Sequence, residues 1–524
     1  MFLEIRHDTR RITPYYYGLF RETYRKDGKV CHRTRGRITG LPLSKLQAIQ
    51  EFFRQGCPFL DRSWFTIKSS REYGAVASVW QTAQSIALPR MLYSRSERWV
   101  KYVMAMIVGR VVYQGSKLYL THLCQDTCLW SLCGVDTPDV DQCYEAMDRL
   151  LQRQGAIQKA LVKKHLSNGC VILYDVTSSY FEGEYADSEL VQFGYNRDGK
   201  RGHKQVVIGL MTDAQGCPVG VSVYKGNTHD QVTVADRIRE LKEEYRLKEL
   251  ILVGDRGMLT AARLAELSEA GLRTITALTH PQLQKLIDKG VFYAAQFQAH
   301  AIAEIYDPDH PDLRYMLCHN PTTAQREKET RKALLAKTTG ELQLIAISKK
   351  KRTVEEIGAA VGKVLAHWKM GKFVDWRVDN GLLQWTLNEE KIQHEETLDG
   401  CYVIRTDLAG EIMDKEQTVA CYRRLETVER AFRQIKTVSL EIRPTYHQLD
   451  RRIEAHVFLC MLAYYVEWHM KQRLQPLFDR DGKGKNRRLT FAGILERLKG
   501  IREQTGVFKG SEVVLRSAPD EVQE

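Results

Sequence analysis

Three acidic residues stand where a metal-held phosphoryl-transfer site would need them: Asp175 in one apolar run, Asp255 at the end of another, and Glu429 in a helical stretch. Two Mg²⁺ ions about 4 Å apart need carboxylate oxygens gathered at one point, which strand ends and a helix distant in sequence can supply. Asp175 lies in Val171-Ile172-Leu173-Tyr174-Asp175-Val176, a run that reads as a central strand buried on both faces. A carboxylate there requires a cation or a strong donor beside it; the plainer alternative is an Asp bonding the turn after its strand. Asp255 follows Leu250-Ile251-Leu252-Val253-Gly254 and precedes Arg256-Gly257-Met258, so a short buried strand ends in an acid before a helix expected from Thr260 to Ala270. Helix capping would explain that acid too, but ligands of open α/β sheets gather beyond the carboxyl ends of the strands.

From Thr418 to Lys436 no Gly or Pro intervenes, and Tyr422, Leu425, Glu429, Phe432 and Lys436 share one helical face. Glu429 and Lys436 are then two turns apart, about 10.5 Å, which lets the Glu hold metal while the Lys grips a nearby phosphate. The alternative is a buried Glu429 paired with Arg433.

With Asp175 in Tyr-Asp-Val-Thr, Asp255 in Gly-Asp-Arg-Gly-Met, and Tyr422, Glu429 and Lys436 on one helix, the chain resembles the DDE transposases of bacterial insertion sequences. It is most similar to the IS-four superfamily, whose last catalytic helix bears a Tyr-Arg-Glu-Lys signature. The likeness runs from about Gly169 to His469, and Leu425 replaces the signature Arg, with Arg423 or Arg424 as substitutes for its phosphate contact. The resemblance implies that Asp175, Asp255 and Glu429 hold two Mg²⁺ ions, with Mn²⁺ as a substitute. It also implies double-stranded DNA as partner, both terminal inverted repeats and target, and a homodimer pairing two ends in a synaptic complex. Hydrolysis would free a 3′-OH that attacks the target. The expected DNA-binding residues are Tyr422, Arg424, Lys436, Arg433, Arg443 and His447, the last two in a stretch with Arg451 that touches DNA or braces the site.

Composition agrees with a nucleic-acid partner. The chain has 524 residues, 43% of them hydrophobic, a net charge of +13 and a pI near 9.0, although so long a chain can also carry that excess diffusely. Its length suggests about three or four domains. No signal peptide is seen, and Val457 to Val466 is too short to cross a membrane. The expectation is a cytoplasmic protein, nucleoid-associated in a bacterium, with its twelve Cys reduced. His122, Cys124, Cys128, Cys133 and Cys143 lie close in sequence but lack paired metal-ligand spacing, so core thiols are the preferred reading.

The expected fold class is α/β: an RNase H-like mixed five-stranded sheet with flanking helices, interrupted by a β-rich insertion domain, plus a mainly helical N-terminal DNA-binding region. Residues 1–40 hold a basic hairpin, Tyr15 to Ile38, turning at Asp27-Gly28. Residues 41–166 are the helical region, with helices at Lys45 to Gly56, Ser96 to Val112 and Tyr144 to His165. Residues 167–280 begin the catalytic core: after the Asp175 strand come Gln205 to Thr212 and Pro218 to Tyr224, a helix from Val232 to Tyr245, the Asp255 strand and Arg273 to Leu278. His229 and Asp230 follow the third strand as supporting polar groups or a plain loop.

Residues 281–412 form the insertion, with strands Phe373 to Val378, Gly381 to Leu387 and Cys401 to Thr406. Lys349-Lys350-Lys351-Arg352 and the helix Thr322 to Lys337 add cationic surface there, while Trp368, Trp376 and Trp385 are core residues or, by the resemblance, platforms for a displaced base. Residues 413–475 resume the core with the Glu helix and a packing helix, Ile453 to Met470, and residues 476–524 read as a basic linker and a loose tail. A non-catalytic host-adopted DNA-binding protein and another RNase H-like nuclease are the alternatives. The first tends to lose the acids or Lys436; the second has no need of the insertion or of the Tyr422-to-Lys436 helix.

Overall fold

The structure, a computed structural model, describes the chain apart from residues 9–14, 55–64, 196–198, 200–201, 246, 248–249, 257, 260–263, 265–266, 269–270, 300–301, 349–351, 439–445, 482–488, 509–510, 521–522 and 524. The chain begins with a three-stranded antiparallel sheet of β1 (Phe2–Asp8), β2 (Tyr15–Lys26) and β3 (Lys29–Ile38). Asp27 and Gly28 both take positive φ, 51° and 76°, as a two-residue turn matched to strand twist requires. The helix Leu43–Arg54 seats Leu46 against Leu3 and Ile38.

After β4 (Phe65–Glu72) come the helices Gly74–Ser85, Arg98–Val112, Lys117–His122, Val140–Gln152 and Gln154–His165. Arg98–Val112 is buried almost all round, the mark of a helix at the centre of a bundle. Its neighbours are Gly74–Ser85, Val140–Gln152 and the long helix Asp450–Asp481, so the helical region and the large sheet that follows share one hydrophobic core. The single helix expected from Tyr144 to His165 is two, broken at Arg153.

The large sheet starts with β5 (Cys170–Tyr180), β6 (Gln205–Asp213) and β7 (Pro218–Lys225), joined antiparallel. β8 (Leu250–Gly254) lies parallel to β5, and β9 (Leu272–Ala277) parallel to β8. Every residue of β6 and β8 is buried, as in strands covered on both faces. Gly209 on β6 leaves room for a ring: an added Cβ would sit 2.2 Å from the Tyr174 hydroxyl.

The sheet has eight strands rather than five. β10 (Ile302–Asp307), β11 (His310–His319) and β14 (Cys401–Thr406), all from the inserted segment, extend it in the order β10-β11-β14-β9-β8-β5-β6-β7. Without them β9 would be an open edge, which β14 covers by pairing antiparallel. The insertion is also less β-rich than expected. Its separate part is built on the helices Pro321–Ala346 and Val354–Trp368, with only the hairpin of β12 (Val374–Asp379) and β13 (Leu382–Leu387) packed against them. Buried Arg331 ties this lobe to buried Asp399, donating from Nη1 to Oδ1 at 2.9 Å.

The last segment is not a loose tail. The helix Phe491–Lys499 leads into β15 (Arg502–Phe508) and β16 (Ser511–Arg516), and β15 pairs with β4. The Arg71–Glu503 ion pair at 2.8 Å and the Arg502 Nε to Ser70 Oγ hydrogen bond at 2.9 Å join the two. No helix among the described residues is long and apolar enough to cross a membrane.

Candidate active site

Strand register brings the two aspartates together. Tyr174 of β5 is level with Gly254 of β8 in a parallel pair, so the next residues, Asp175 and Asp255, lie side by side on neighbouring strands about 4.8 Å apart. Asp175 is still within the ladder, opposite Leu210, and is half-buried; Asp255 is one residue past its strand and exposed. The Asp255 Oδ1 accepts the Arg256 N–H at 2.7 Å, and its carbonyl accepts that of Met258 at 3.1 Å, closing a turn. The helix expected next lies largely outside the described residues.

Glu429 stands on a helix that packs on β5 and β6. The expected single helix is three pieces: Lys415–Arg423, a break at Arg424, Leu425–Arg433, and a π-helical turn Gln434–Val438. Asp414 caps the first, accepting the Gln417 N–H at 2.7 Å. The second packs on β5 and β6 through buried Leu425, Val428, Ala431 and Phe432, leaving Glu429 exposed. A Glu429 buried against Arg433 is therefore not what the chain forms.

Leu425 is only 8% exposed, so the residue in the signature Arg position anchors the helix in the core. Arg423 is held on β14, donating to the Tyr402 hydroxyl at 2.9 Å, whereas Arg424 and Arg433 are exposed. Burial pushes the Tyr422 phenol up to about 12, and the Asp255 and then the Glu429 carboxylates act in the same direction, opposed by Arg256.

The π turn changes the position of Lys436, which is 7% exposed and donates from Nζ to Thr177 Oγ1 at 3.0 Å. Thr177 is two residues beyond Asp175 on β5 and so shares its face of the sheet. Sequence reading passed over Thr177, although the alternation of that strand identifies it. Arg443 lies outside the described residues. His447 is half-buried, its Nε2 3.2 Å from Lys117 Nζ and its ring edge-on to Tyr144. Exposed His229 follows β7 on the same side of the sheet, with half-buried Asp230 beginning the helix Asp230–Arg239.

Three carboxylates are hard oxygen donors of the kind Mg²⁺ and Mn²⁺ select, and the triad fits such ions in donor chemistry. The three do not all bring an oxygen within 4.8 Å of the other two. Carboxylates repel at short range, and the Asp255 and Glu429 side chains are exposed.

In the insertion, Trp376 is 40% exposed and faces Trp385 across the hairpin, while Trp368 donates from Nε1 to Glu341 Oε1 at 3.0 Å within the lobe. Lys349 to Lys351 lie outside the described residues. Arg33 and Arg35 of the N-terminal hairpin share Glu22, at 2.9 and 2.7 Å, and Arg37 stacks on Tyr17 at 4.1 Å, leaving Arg25, Lys26 and Lys29 at the exposed tip. Cys128, Cys133 and Cys143 are buried thiols, as expected of core cysteines.

No curated protein matches the chain. DDE transposases generally use divalent metal ions. A family model described as the transposase DDE domain matches residues 167–466, more than half of the chain and the span holding all three acids, and the chain therefore belongs to the DDE transposases.

Proposed function

We propose that this transposase binds the terminal inverted repeats of an insertion sequence, hydrolyses the DNA at their boundaries and transfers the freed 3′-OH ends to target DNA. The observation that carries the reading is that Asp175 and Asp255 each follow a paired position on neighbouring parallel strands, with the Glu429 helix packed on β5. The order β7-β6-β5-β8-β9, antiparallel then parallel, supports an RNase H-like core.

Asp175, Asp255 and Glu429 are the residues that would hold Mg²⁺, two ions in this reading. Bound there, divalent ions lower the pKa of the attacking water and offset charge on the departing 3′ oxygen. The Tyr422 phenol, protonated at neutral pH, is a donor at the edge of the carboxylate cluster. Lys436 supplies a fixed positive charge on the face of β5 that carries Asp175, oriented by Thr177. Exposed Arg424 and Arg433 on the Glu helix, with the basic hairpin tip, suit contact with phosphates. His447 acts here by bracing the stretch after the Glu helix. By the family resemblance the working form is a homodimer holding two ends, acting in the cytoplasm on nucleoid DNA.

The test is incubation with Mg²⁺ and a labelled linear DNA carrying the flanking inverted repeat, beside the Asp255→Ala variant. Nicks or breaks at the repeat boundary from the wild type alone are expected. Repeat binding without cleavage under Mg²⁺ and Mn²⁺ would instead favour a non-catalytic DNA-binding protein.

A further inference from the structure

At the opposite edge of the sheet from Asp255, three residues distant in sequence meet. His165 ends the helix Gln154–His165, Cys217 lies in the β6–β7 turn, and His469 is on the helix Asp450–Asp481. Among the described residues these form the one group of three potential ligands with donor atoms all within 4.8 Å of one another. Cys217 Sγ and His165 Nε2 are 4.0 Å apart. Around a tetrahedral zinc, bond lengths of about 2.3 Å to sulfur and 2.0 Å to nitrogen put such a pair about 3.5 Å apart, so closure takes about half an ångström. Cys217 is fully buried, and His469 Nε2 is buried with no hydrogen-bond partner. An orphaned polar atom of this kind calls for an explanation, and a metal ion supplies one.

The surroundings hold the three in place. Asp213 Oδ1 accepts the N–H groups of Gln215 and Cys217 at 2.8 and 2.9 Å, fixing the turn and setting a carboxylate beside the thiol. The Tyr465 ring is edge-on to both imidazoles, at 5.5 and 4.6 Å. Its hydroxyl, 2.9 Å from His165 Nε2, also accepts from Lys164 Nζ at 3.1 Å, so it keeps a partner when His165 turns to a metal.

We propose that His165, Cys217 and His469 hold a zinc ion, with water in the fourth tetrahedral position, that pins the helical region, the β6–β7 turn and the long helix to one another. Two imidazoles and a thiolate are a donor set that suits zinc and not the hard ions of the carboxylate site. On binding, the Cys217 S–H proton is released to solvent and the S–Zn bond forms, without oxidation or reduction. The pinned turn also backs the Glu helix: Gly216, at φ 85°, has its missing Cβ position 3.1 Å from Thr427 Oγ1, two residues before Glu429.

Full-length protein purified without chelator and passed through a desalting column is expected to keep stoichiometric zinc, measured by plasma mass spectrometry. The Asp255→Ala variant should keep it equally, and Cys217→Ser and His469→Ala should lose it. Cobalt-substituted wild type should show a thiolate-to-cobalt charge-transfer band that is absent from Cys217→Ser. X-ray absorption at the zinc edge needs no variant, and should give sulfur at about 2.3 Å with nitrogen at about 2.0 Å. Zinc-free wild type with no thiolate band after cobalt loading, an all-oxygen shell, or a band that persists in Cys217→Ser would each overturn the assignment.

Discussion

Lys436 donates a 3.0 Å hydrogen bond to Thr177, a residue 259 positions earlier in the chain and on the same strand face as Asp175. Its ammonium is therefore held against β5, on the face that carries Asp175, instead of extending over a DNA backbone. Lys436→Met should lower boundary cleavage about 100-fold, the scale of a 1 Å misplacement in a catalytic group, while repeat affinity stays within about twofold, since a phosphate-binding lysine would cost affinity in a salt-dependent way. Gel-shift titration beside single-turnover cleavage separates the two; a matched loss of binding would restore the phosphate-gripping role.

Asp175→Ala, Asp255→Ala and Glu429→Ala should each abolish cleavage and leave repeat binding and melting temperature near wild type. Asp255 and Glu429 are exposed, so their removal strains nothing. Calorimetry and gel shift check this, and a variant that loses binding, melting temperature and cleavage together has misfolded.

Gly209→Ala places a methyl group 2.2 Å from the Tyr174 hydroxyl, on a ring that is 1% exposed. Overpacking of this kind costs about 1–3 kcal/mol, and the displaced ring belongs to the residue before Asp175. Urea unfolding should show the loss, with cleavage falling further than binding; an unchanged midpoint would mean that the ring can shift freely.

Stability should rise with pH in two windows. Burial, then Lys117, Arg452 and Arg110, lower the His447 imidazole to about 3, and burial, then Arg110, lowers the Lys117 ammonium to about 7. Both folded values lie below the unfolded ones, so between them the unfolded chain binds more protons and ∂ΔG/∂pH is positive. The His447 contribution is complete above about pH 6.5 and is lost as pH falls toward 3; the Lys117 penalty is full below about pH 7 and disappears toward pH 10.5. Denaturation midpoints should climb on the order of a few kcal/mol in ΔG from pH 7 to 10, and Lys117→Met should flatten that climb.

Arg331→Met leaves Asp399 charged and buried at the root of the inserted lobe, and should cost about 3–5 kcal/mol. Replacing both, as Arg331→Met with Asp399→Leu, should recover most of it. Denaturant unfolding of the two variants checks this, and equal stabilities would mean that the pair contributes little.

The strands bearing Asp175 and Asp255 were legible because each is a short apolar run with one acid, and the hairpin at Asp27-Gly28 because two positive φ angles restrict residue choice. The break at Arg424 and the π turn at Gln434 were not, because an uninterrupted stripe of apolar spacing is compatible with one helix or with three pieces. That difference is what turned Lys436 inward. β14 was expected as a strand, but not as a member of the main sheet, since hydrophobic alternation identifies a strand and not its neighbour. The apolar residues of β15 and β16 come in short runs instead of alternating with polar ones, and the partner of β15, β4, is about 430 residues away.

That partnership has a consequence in time. β4 leaves the ribosome early, and its neighbour β15 follows only after more than four hundred further residues. At about 5–20 residues per second this is a wait of roughly 20 to 90 seconds. Until then the edge of β4 has no strand to bond. Chains released before residue 502 never complete the sheet, so interrupted translation yields products that lack a finished N-terminal half even though every residue of that half has been made.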